Sequence, residues 1–310
     1  MSAAADPRVD TRVTVGTVTL PNPVIAASGT FGYGTELAGL VDLSAIGAIA
    51  VKGLSLAPYA GKPAPRLVET SAGMLNAIGL QNIGAEAFVR DRLPVLHAAG
   101  ARVVANFWGD SEDEFAECAA RLDGAPGIVA LELNASSPNR PEWGSILATD
   151  PGALARIVTA VRPRVRLPLW VKLSPNVNDI VAVGRAAADA GADALCAINT
   201  LRGTAVDLER RRFKLAAGSG GLSGPAIKPV ALRMVYELAR ALRLPVVGIG
   251  GIRTGEDALE FLCCGARAVQ VGTASFYDPR AAVRIVDGMT RWCRRHHVAA
   301  VTDMIGTVAA

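Results

Sequence analysis

Polar side chains and glycine turns stand in this sequence directly after short apolar runs of strand length. Lysine ammonium groups can stabilise an anionic ring or an enolate, asparagine amides can hold a planar imide or carboxylate, and glycine turns expose backbone N–H groups. A single asparagine at such a point is most often a turn former, but the recurrence predicts one functional rim. The positions are Ser28, Lys52, Asn106, Asn134, Lys172, Asn199 with Thr200, Gly250 with Gly251, and Gly272 with Thr273.

The segment LNASSPN, residues 133–139, concentrates four polar side chains immediately after the fourth apolar run. Pro138 restricts the backbone of the residue before it. Two interpretations are open from the residues alone: a pocket for a planar imide or carboxylate, or an Asx or Ser turn that only closes the loop. The four side chains are those of Asn134, Ser136, Ser137 and Asn139.

The last two apolar runs end in glycine turns that suit a phosphate group. GIGGIRTGED (248–257) places glycines at a strand end and Thr254 with acidic residues at a helix start, and VGTASF (271–276) is similar. Loops after the last two strands of an α/β barrel commonly bind phosphate through free backbone N–H groups and a helix N-terminus. Phosphate by itself does not name the ligand, because barrel lyases and isomerases bind it too.

The elements that must position these residues follow a repeated pattern of helix end, glycine and apolar run. Glycine commonly caps a helix C-terminus, and apolar runs without alternation are typical of parallel strands covered on both faces. Predicted strands lie within 24–28, 43–53, 97–107, 128–134, 169–173, 189–199, 245–251 and 262–273. Predicted helices lie at 35–41, 84–98, 111–122, 150–161, 177–190, 228–241, 255–264 and 279–296.

Eight strand–helix units predict an α/β protein that is a single (β/α)8 barrel spanning residues 1–310, with residues 1–10 flexible. Such a barrel needs about 250 residues, so about 60 belong to additions. We expect a hairpin about Gly16 at 13–20, at the bottom of the barrel, and long loops after strands two, four and six, at 53–83, 135–149 and 201–227. The competing layout is a doubly wound open sheet, which the lack of GxGxxG after the first strand disfavours.

Composition excludes several classes of function. The 32 basic and 28 acidic residues give a net charge of only +4, and the basic clusters carry no interleaved aromatic residues, so nucleic-acid binding is not expected. Five cysteines form no CxxC pair and three histidines lack metal-ligand spacing, which predicts no disulfide framework, no metal site and a reducing cytoplasm. No apolar run reaches the length of a membrane span.

The chain resembles the dihydroorotate dehydrogenases, FMN-dependent barrels that oxidise dihydroorotate to orotate in pyrimidine biosynthesis. Within them it is most similar to the class 1 catalytic subunit that pairs with an FAD/iron–sulfur subunit. The motifs that carry the resemblance are ASGTFGYG (27–34), VKGLS (51–55), PAPRLVETSAGMLNAIGLQN (63–82), LNASSPN (133–139), VKLSPN (171–176), INTLRGTAVD (198–207), GGLSGPAIKPVALRMVYE (220–237), GIGGIRTGEDALE (248–260) and VGTASF (271–276).

The resemblance implies a role for each matching position. Ser137 takes the place of the catalytic base, and Lys172 stabilises negative charge on the flavin. FMN contacts fall on Ala27, Ser28, Lys52, Asn106, Asn134, Lys172, Ile198, Gly224, Gly250, Gly251, Gly272 and Thr273. Orotate contacts fall on Lys52, Asn76, Ile78, Gly79, Leu80, Asn134, Asn139, Asn199 and Thr200.

The sequence departs from the family pattern around the base. Class 1 members usually have cysteine at the position of Ser137, whereas class 2 members have serine there. Arg140 stands where class 2 members have threonine. The stretch 140–147 also differs from the usual class 1 loop. A serine hydroxyl ionises far less readily than a thiol, so Ser137 needs a relay or activating neighbours. We expect the adjacent Ser136 to satisfy the loop backbone.

The resemblance implies that Ser137 removes the C5 proton of dihydroorotate while C6 passes a hydride to flavin N5. It further implies a homodimer, and use of NAD only through a partner chain. Two alternatives remain: an FMN enzyme for another dihydropyrimidine such as dihydrouracil, and a flavin-binding homologue whose catalysis was lost with the cysteine.

Overall fold

The computed structural model describes residues 9–137, 147 and 149–309, and it confirms the barrel. Eight parallel strands pair in chain order, and β8 pairs with β1 to close the circle, with Gln270 opposite Ile25. The strands are β1 (Val24–Ala26), β2 (Ala48–Ala50), β3 (Val103–Phe107), β4 (Ile128–Leu133), β5 (Leu169–Lys172), β6 (Ala194–Ala197), β7 (Val246–Ile249) and β8 (Ala266–Val271).

Helices cover the outside of the barrel, which explains why the strands do not alternate between apolar and polar residues. Every residue of β3, β5, β6 and β7 is buried. The helices are Ala85–Ala87 continuing through the π-helical Phe88–Arg92 into Leu93–Ala98, then Glu112–Leu122, Pro151–Val161, Ile180–Asp189, Lys228–Ala241, Gly255–Cys263, Ala274–Tyr277 and Ala281–Arg295.

The interval between β1 and β2 differs from the prediction. Residues 35–40 form turns, and a 3-10 helix follows at Leu43–Ala45, so the helix predicted at 35–41 is wrong. That stretch offers at most two turns of helix and contains Gly39, which weakens a helix interior. So short a segment does not recover the cost of helix nucleation.

The predicted hairpin at the bottom of the barrel is present. Val13–Val15 pairs antiparallel with Val18–Leu20 through a turn at Gly16, whose φ of 61° suits glycine. A Cβ on Gly16 would lie 3.5 Å from the carbonyl oxygen of Asp193, the residue that precedes β6. The hairpin therefore lies at the N-terminal ends of the strands, opposite the end where barrel active sites form.

The long loops after β2 and β6 are built into one small antiparallel sheet. Its strand order is Leu201–Gly203, Gly220–Ser223, Gly73–Asn76 and Leu67–Thr70. A separate two-stranded ribbon pairs Val206–Asp207 with Arg212–Phe213. The sheet brings residues from two distant loops to the same end of the barrel. Most of the loop predicted after β4, residues 138–146 and 148, lies outside the described residues.

The two ends of the described chain are joined. The amide of Asp10 donates to the carbonyl of Ala299 over 2.9 Å, and the amide of Val301 donates back to Asp10 over 2.9 Å. Of the segment predicted to be flexible, residues 1–8 lie outside the described residues. None of the helices within 9–137, 147 and 149–309 has the length and apolarity needed to cross a bilayer.

Candidate active site

A deep cavity opens at the C-terminal ends of the barrel strands, where α/β barrels carry their active sites. The empty space within it, including open solvent at the mouth, is about 1290 Å³. Its wall contains Ala27, Ser28, Lys52, Asn76, Ile78, Gly79, Leu80, Asn106, Asn134, Ser137, Lys172, Ile198, Asn199, Thr200, Gly224, Gly250, Gly251, Gly272 and Thr273. These are all of the site residues predicted from the sequence except Asn139, which lies outside the described residues.

Lys172, the last residue of β5, is 5% exposed at the base of the cavity. Its Nζ atom donates to Ser28 Oγ over 3.1 Å and lies 3.7 Å from Glu132 Oε1. A buried ammonium group needs such partners, because an unpaired charge away from water is very costly. The arrangement fixes a positive charge where it can act on a bound anion.

Lys52 supplies a second cation just beyond β2. Its backbone N–H donates to Gly32 over 2.9 Å, which holds the start of the following loop. Burial lowers the pKa of Lys52, and the positive charge of Arg66 lowers it further. Both effects disfavour the charged form until a bound anion compensates for them. Lys52 is therefore suited to meet a negatively charged group.

A chain of amides runs across the cavity between β3 and the end of β6. Asn134 Nδ2 donates to Asn106 Oδ1 over 3.3 Å, and Asn199 Nδ2 donates to Asn134 Oδ1 over 3.3 Å. The Asn199 Oδ1 atom in turn accepts from the amide of Thr200 over 2.9 Å. The sequence interpretation as a mere loop-closing turn is therefore incomplete, because Asn134 is bonded to side chains from two other strand ends.

Ser137 is 5% exposed and lies in the cavity wall, three residues beyond the strand-end Asn134. The neighbouring Ser136 is also buried, but its role differs from the prediction. Its Oγ donates to Asn134 Oδ1 over 3.3 Å and accepts from Asn199 Nδ2 over 3.0 Å. Ser136 thus braces two asparagine side chains, whereas we expected it to satisfy the loop backbone.

The ends of β7 and β8 form a cradle of backbone N–H groups. Among the described residues, the amides of Gly250, Gly251, Gly272 and Thr273 donate to no acceptor. A Cβ on Gly272 would make ordinary van der Waals contacts with side-chain atoms of Ala27 and Thr30, at 3.6–3.8 Å. Unpaired N–H groups that line the cavity fit a phosphate group.

The helix Gly255–Cys263 after β7 is rigidly anchored beside this cradle. Thr254 Oγ1 accepts from the amide of Asp257 over 3.1 Å, and Asp257 Oδ2 accepts from the amide of Thr254 over 2.9 Å. Lys228 Nζ donates to Asp257 Oδ1 over 2.6 Å. Although burial alone would raise the pKa of Asp257, these hydrogen bonds hold it below its ordinary value. The capping box and ion pair fix the turn that carries Gly250 and Gly251.

The loop after β2 contributes another part of the cavity wall. Gly79 and Leu80 both have positive φ, 75° and 61°, so the chain turns sharply into the cavity there. Arg66 holds the loop from outside, donating to the carbonyl of Lys62 over 3.0 Å and to Gln81 Oε1 over 2.6 Å. The sequence pattern alone does not indicate this clamp.

Sequence reasoning missed Glu132 and Gln270, which lie beneath the cavity. Glu132 is wholly buried in β4 and accepts from Asn106 Nδ2 over 2.6 Å and from Gln270 Nε2. A lone carboxylate in the apolar run IVALEL was the signal that could have found it. The exposed aromatic side chains of Phe276 and Tyr277 at the cavity mouth were also missed.

Fold and cavity together define a (β/α)8 barrel with a cavity at the C-terminal ends of its strands, lined by a backbone cradle, two lysines and a chain of amides. Residues 11–292 match the sequence model of the dihydroorotate dehydrogenase family. The chain belongs to that family, whose enzymes are FMN-dependent oxidoreductases.

Individual relatives match along nearly the whole chain. The protein of Geobacter sp. (strain M21) is 54% identical over 301 residues, 97% of this chain and 99% of its own length. Those of Trichlorobacter lovleyi and Geobacter sulfurreducens are each 55% identical, over 96% of this chain and 97% and 98% of their own lengths. All three are named dihydroorotate dehydrogenase B (NAD(+)), catalytic subunit, which confirms the resemblance to the class 1B branch.

Proposed function

We propose that this chain oxidises dihydroorotate to orotate with FMN, as the catalytic subunit of a class 1B dihydroorotate dehydrogenase in pyrimidine biosynthesis. The observation that carries the proposal is the convergence of three features in one cavity: the backbone cradle, the buried Lys172 and the chain of asparagine amides. Together they match a phosphorylated cofactor that becomes more anionic on reduction, next to a planar substrate.

The cofactor site is assigned from the open cradle and the cations. Gly250, Gly251, Gly272 and Thr273 would hold the phosphate through their backbone N–H groups. Lys172, with Ser28 behind it, would stabilise negative charge on the ring. Bound FMN supplies the hydride acceptor, its N5 atom. The remaining contacts would come from Ala27, Lys52, Asn106, Asn134, Ile198 and Gly224.

The substrate site is assigned to the half of the cavity between the amide chain and the loop after β2. Asparagine amides offer both a donor and an acceptor, which suits the imide edge of a dihydropyrimidine. Lys52 would balance the substrate carboxylate. The positions proposed to contact substrate are Lys52, Asn76, Ile78, Gly79, Leu80, Asn134, Asn199 and Thr200, with Asn139 proposed from the family resemblance.

Ser137 is the proposed base that takes the C5 proton. Its support is its place in the cavity wall, buried from solvent and next to the brace formed by Ser136. A hydroxyl is a weak base, so the reaction should speed up as the pH rises.

The same serine also favours a second candidate function, the oxidation or reduction of a related dihydropyrimidine on the same flavin. Ser137 replaces the usual class 1 cysteine as the base, and a changed base can accompany a changed substrate. The matched substrate comparison is dihydrouracil, which lacks the carboxylate that Lys52 would bind.

We further propose that electrons leave through an FAD/iron–sulfur subunit and that the enzyme works in the cytoplasm as a homodimer. The relatives are catalytic subunits of an NAD(+) enzyme, and this sequence lacks a GxGxxG dinucleotide motif after its first strand. All five cysteines are free, as in a reducing compartment.

The dimer proposal rests on exposed apolar side chains of the ribbon after β6: Leu208 is 80% exposed and Phe213 is 56% exposed. Sedimentation at increasing dilution tests it. We expect a dimer for the native chain and for Val95→Asp, a control at another exposed apolar position, and a monomer for Leu208→Asp. A dilution-independent monomer of 32.1 kDa for the native chain contradicts the proposal.

The function itself is tested by product formation. FMN-loaded protein should convert dihydroorotate to orotate with an artificial electron acceptor, and heat denaturation should release about one FMN per chain. A colourless protein that cannot be reconstituted with FMN contradicts the proposed function.

A further inference from the structure

Glu132 is a buried carboxylate for which the proposed chemistry has no direct use. It lies inside β4, is 0% exposed and does not line the cavity. Among the described residues it is the only buried carboxylate, and Lys172 is the only buried cation. Burying a carboxylate is costly unless it is paired and hydrogen-bonded. We therefore expect this carboxylate, which lies among apolar strand residues, to have a specific role.

The partners of Glu132 come from three other strands. Asn106 on β3 donates to Oε1 over 2.6 Å, Lys172 on β5 lies 3.7 Å from the same oxygen, and Gln270 on β8 donates to Oε2. In an eight-stranded barrel β8 stands opposite β4, so the bond to Gln270 crosses the interior. Glu132 thus forms the floor under the cavity.

The carboxylate fixes the direction of the whole amide chain above it. An ionised carboxylate only accepts hydrogen bonds, so the NH2 group of Asn106 must face Glu132. The Asn106 oxygen is then left to accept from Asn134, and the Asn134 oxygen to accept from Asn199. One buried acceptor therefore decides which amide atoms the cavity offers to a ligand.

The same carboxylate also sets the charge under the cofactor. At 3.7 Å from Lys172 Nζ and screened from water, it offsets part of that cation's effect on a bound ring. Without it, Lys172 would favour the more anionic, reduced cofactor more strongly.

We propose that Glu132 is a positioning residue that orients the chain Asn106–Asn134–Asn199 for substrate and acts as the counter-ion of Lys172. The inference rests on the proposed function, because it assumes that FMN and orotate occupy this cavity. Glu132 acts through the residues above it and touches neither ligand.

The test compares Glu132→Gln with the control Gln270→Met in FMN-loaded protein at pH 7. Glu132→Gln keeps the shape of the side chain but removes its charge. Because an amide can donate as well as accept, the glutamine no longer forces the NH2 group of Asn106 to face it. Gln270→Met also removes a hydrogen bond from the same buried layer, but it leaves the carboxylate and the amide chain in place. Thermal unfolding reports the structural cost of each change.

For Glu132→Gln we expect the preference for reduced over oxidised FMN to rise at least tenfold, which is about 30 mV in the midpoint potential of a two-electron couple. Orotate affinity, read from its perturbation of the flavin spectrum, should fall at least tenfold. Gln270→Met should leave both within about threefold of the native protein.

Equal potentials and equal orotate affinities in the two variants would overturn the role of Glu132, whatever their thermal stabilities. If orotate perturbs the flavin spectrum of neither the native protein nor the variants, the proposed function fails, and the midpoint potential still decides the role of Glu132.

Discussion

The Nζ atom of Lys172 lies 3.1 Å from the Oγ atom of Ser28, which joins the end of β5 to the end of β1. These two strands stand opposite each other in the closed barrel, so the hydrogen bond crosses the base of the cavity. It fixes an ammonium group at the centre of the site, within reach of any ring that lies on the barrel end. The cofactor assignment depends most directly on this contact.

Replacing Lys172 with alanine should weaken FMN binding. A hydrogen bond or ion pair to a charged group is worth about 1.5–3 kcal/mol, which corresponds to about 10- to 150-fold in affinity. Titration of apoprotein with FMN, followed by flavin fluorescence, measures the loss. The control is Lys214→Ala, which removes an exposed cation outside the cavity and should change the affinity less than twofold. Equal losses in the two variants would show that Lys172 does not contact the cofactor.

Two glycines of the backbone cradle should respond differently to alanine. At Gly251 the φ is 77° and a Cβ would lie 2.7 Å from the Cβ of Lys228, so Gly251→Ala should destabilise the apoprotein by about 1–3 kcal/mol. At Gly272 the nearest atom would be 3.6 Å away, so Gly272→Ala should leave unfolding of the apoprotein nearly unchanged.

Gly272→Ala should nevertheless weaken FMN binding at least tenfold, because Gly272 lines the cavity and the added methyl group would lie beside the free N–H groups. Denaturant unfolding of the apoprotein and FMN titration separate the two effects. FMN affinity unchanged by Gly272→Ala would place the phosphate elsewhere.

Orotate binding should weaken at alkaline pH through Lys52. Burial, aided by Arg66, holds the pKa of Lys52 below its ordinary 10.5 in the free protein. The ammonium form is present below that pKa and is lost as the pH rises through it, so affinity for the orotate carboxylate should decline at a lower pH than an ordinary lysine would give. The orotate dissociation constant, measured from pH 7 to 10.5, reports this decline in affinity.

Lys52→Arg is the matched variant for this titration, since a guanidinium stays charged throughout the range. Its orotate affinity should lack the alkaline decline, even if it is lower overall. A decline of the same size in Lys52→Arg would assign the titration to another group.

The barrel could be predicted from the sequence because its signals are local. Glycine after a helix and an unbroken apolar run can be recognised within about ten residues. Four strands were predicted from both signals together and the other four from the apolar run. The hairpin about Gly16 has an equally local signal. The helix predicted at 35–41 is wrong because so short a stretch, which contains Gly39, does not recover the cost of helix nucleation.

The small sheet over the barrel and the layer beneath the cavity could not be predicted, because their partners are distant in the chain. Asn76 Nδ2 donates to the carbonyl of Gly221, 145 residues away, and Gln270 donates to Glu132, 138 residues away. The strands of the small sheet have only three or four residues each and lack a decisive pattern. The cavity residues themselves were identified by their position at strand ends and by family resemblance, whereas the brace formed by Ser136 depends on side-chain contacts that no pattern encodes.

Ser137→Ala should slow flavin reduction by dihydroorotate by about 10²- to 10⁴-fold, the usual contribution of a positioned general base. FMN and orotate binding should stay nearly unchanged, because neither needs the hydroxyl. Ser137→Cys should reduce the flavin faster than the native protein at neutral pH, since a thiol is partly ionised there. Stopped-flow absorbance under anaerobic conditions measures each rate.

Ser136→Ala is the control for this series. It removes the brace between Asn134 and Asn199, so it should weaken orotate binding while lowering the rate at saturating dihydroorotate less than Ser137→Ala does. If Ser136→Ala lost flavin reduction while Ser137→Ala kept the native rate, Ser136 and not Ser137 would be the base.

A single-turnover experiment decides whether dihydroorotate delivers its electrons to a flavin in this cavity. FMN-loaded protein is mixed anaerobically with dihydroorotate, and separately with dihydrouracil, while the visible flavin absorbance is followed. We expect dihydroorotate to bleach the flavin, faster as the pH rises, and dihydrouracil to do so far more slowly. Bleaching by dihydrouracil alone would contradict the substrate, and bleaching by neither would contradict the enzyme activity itself.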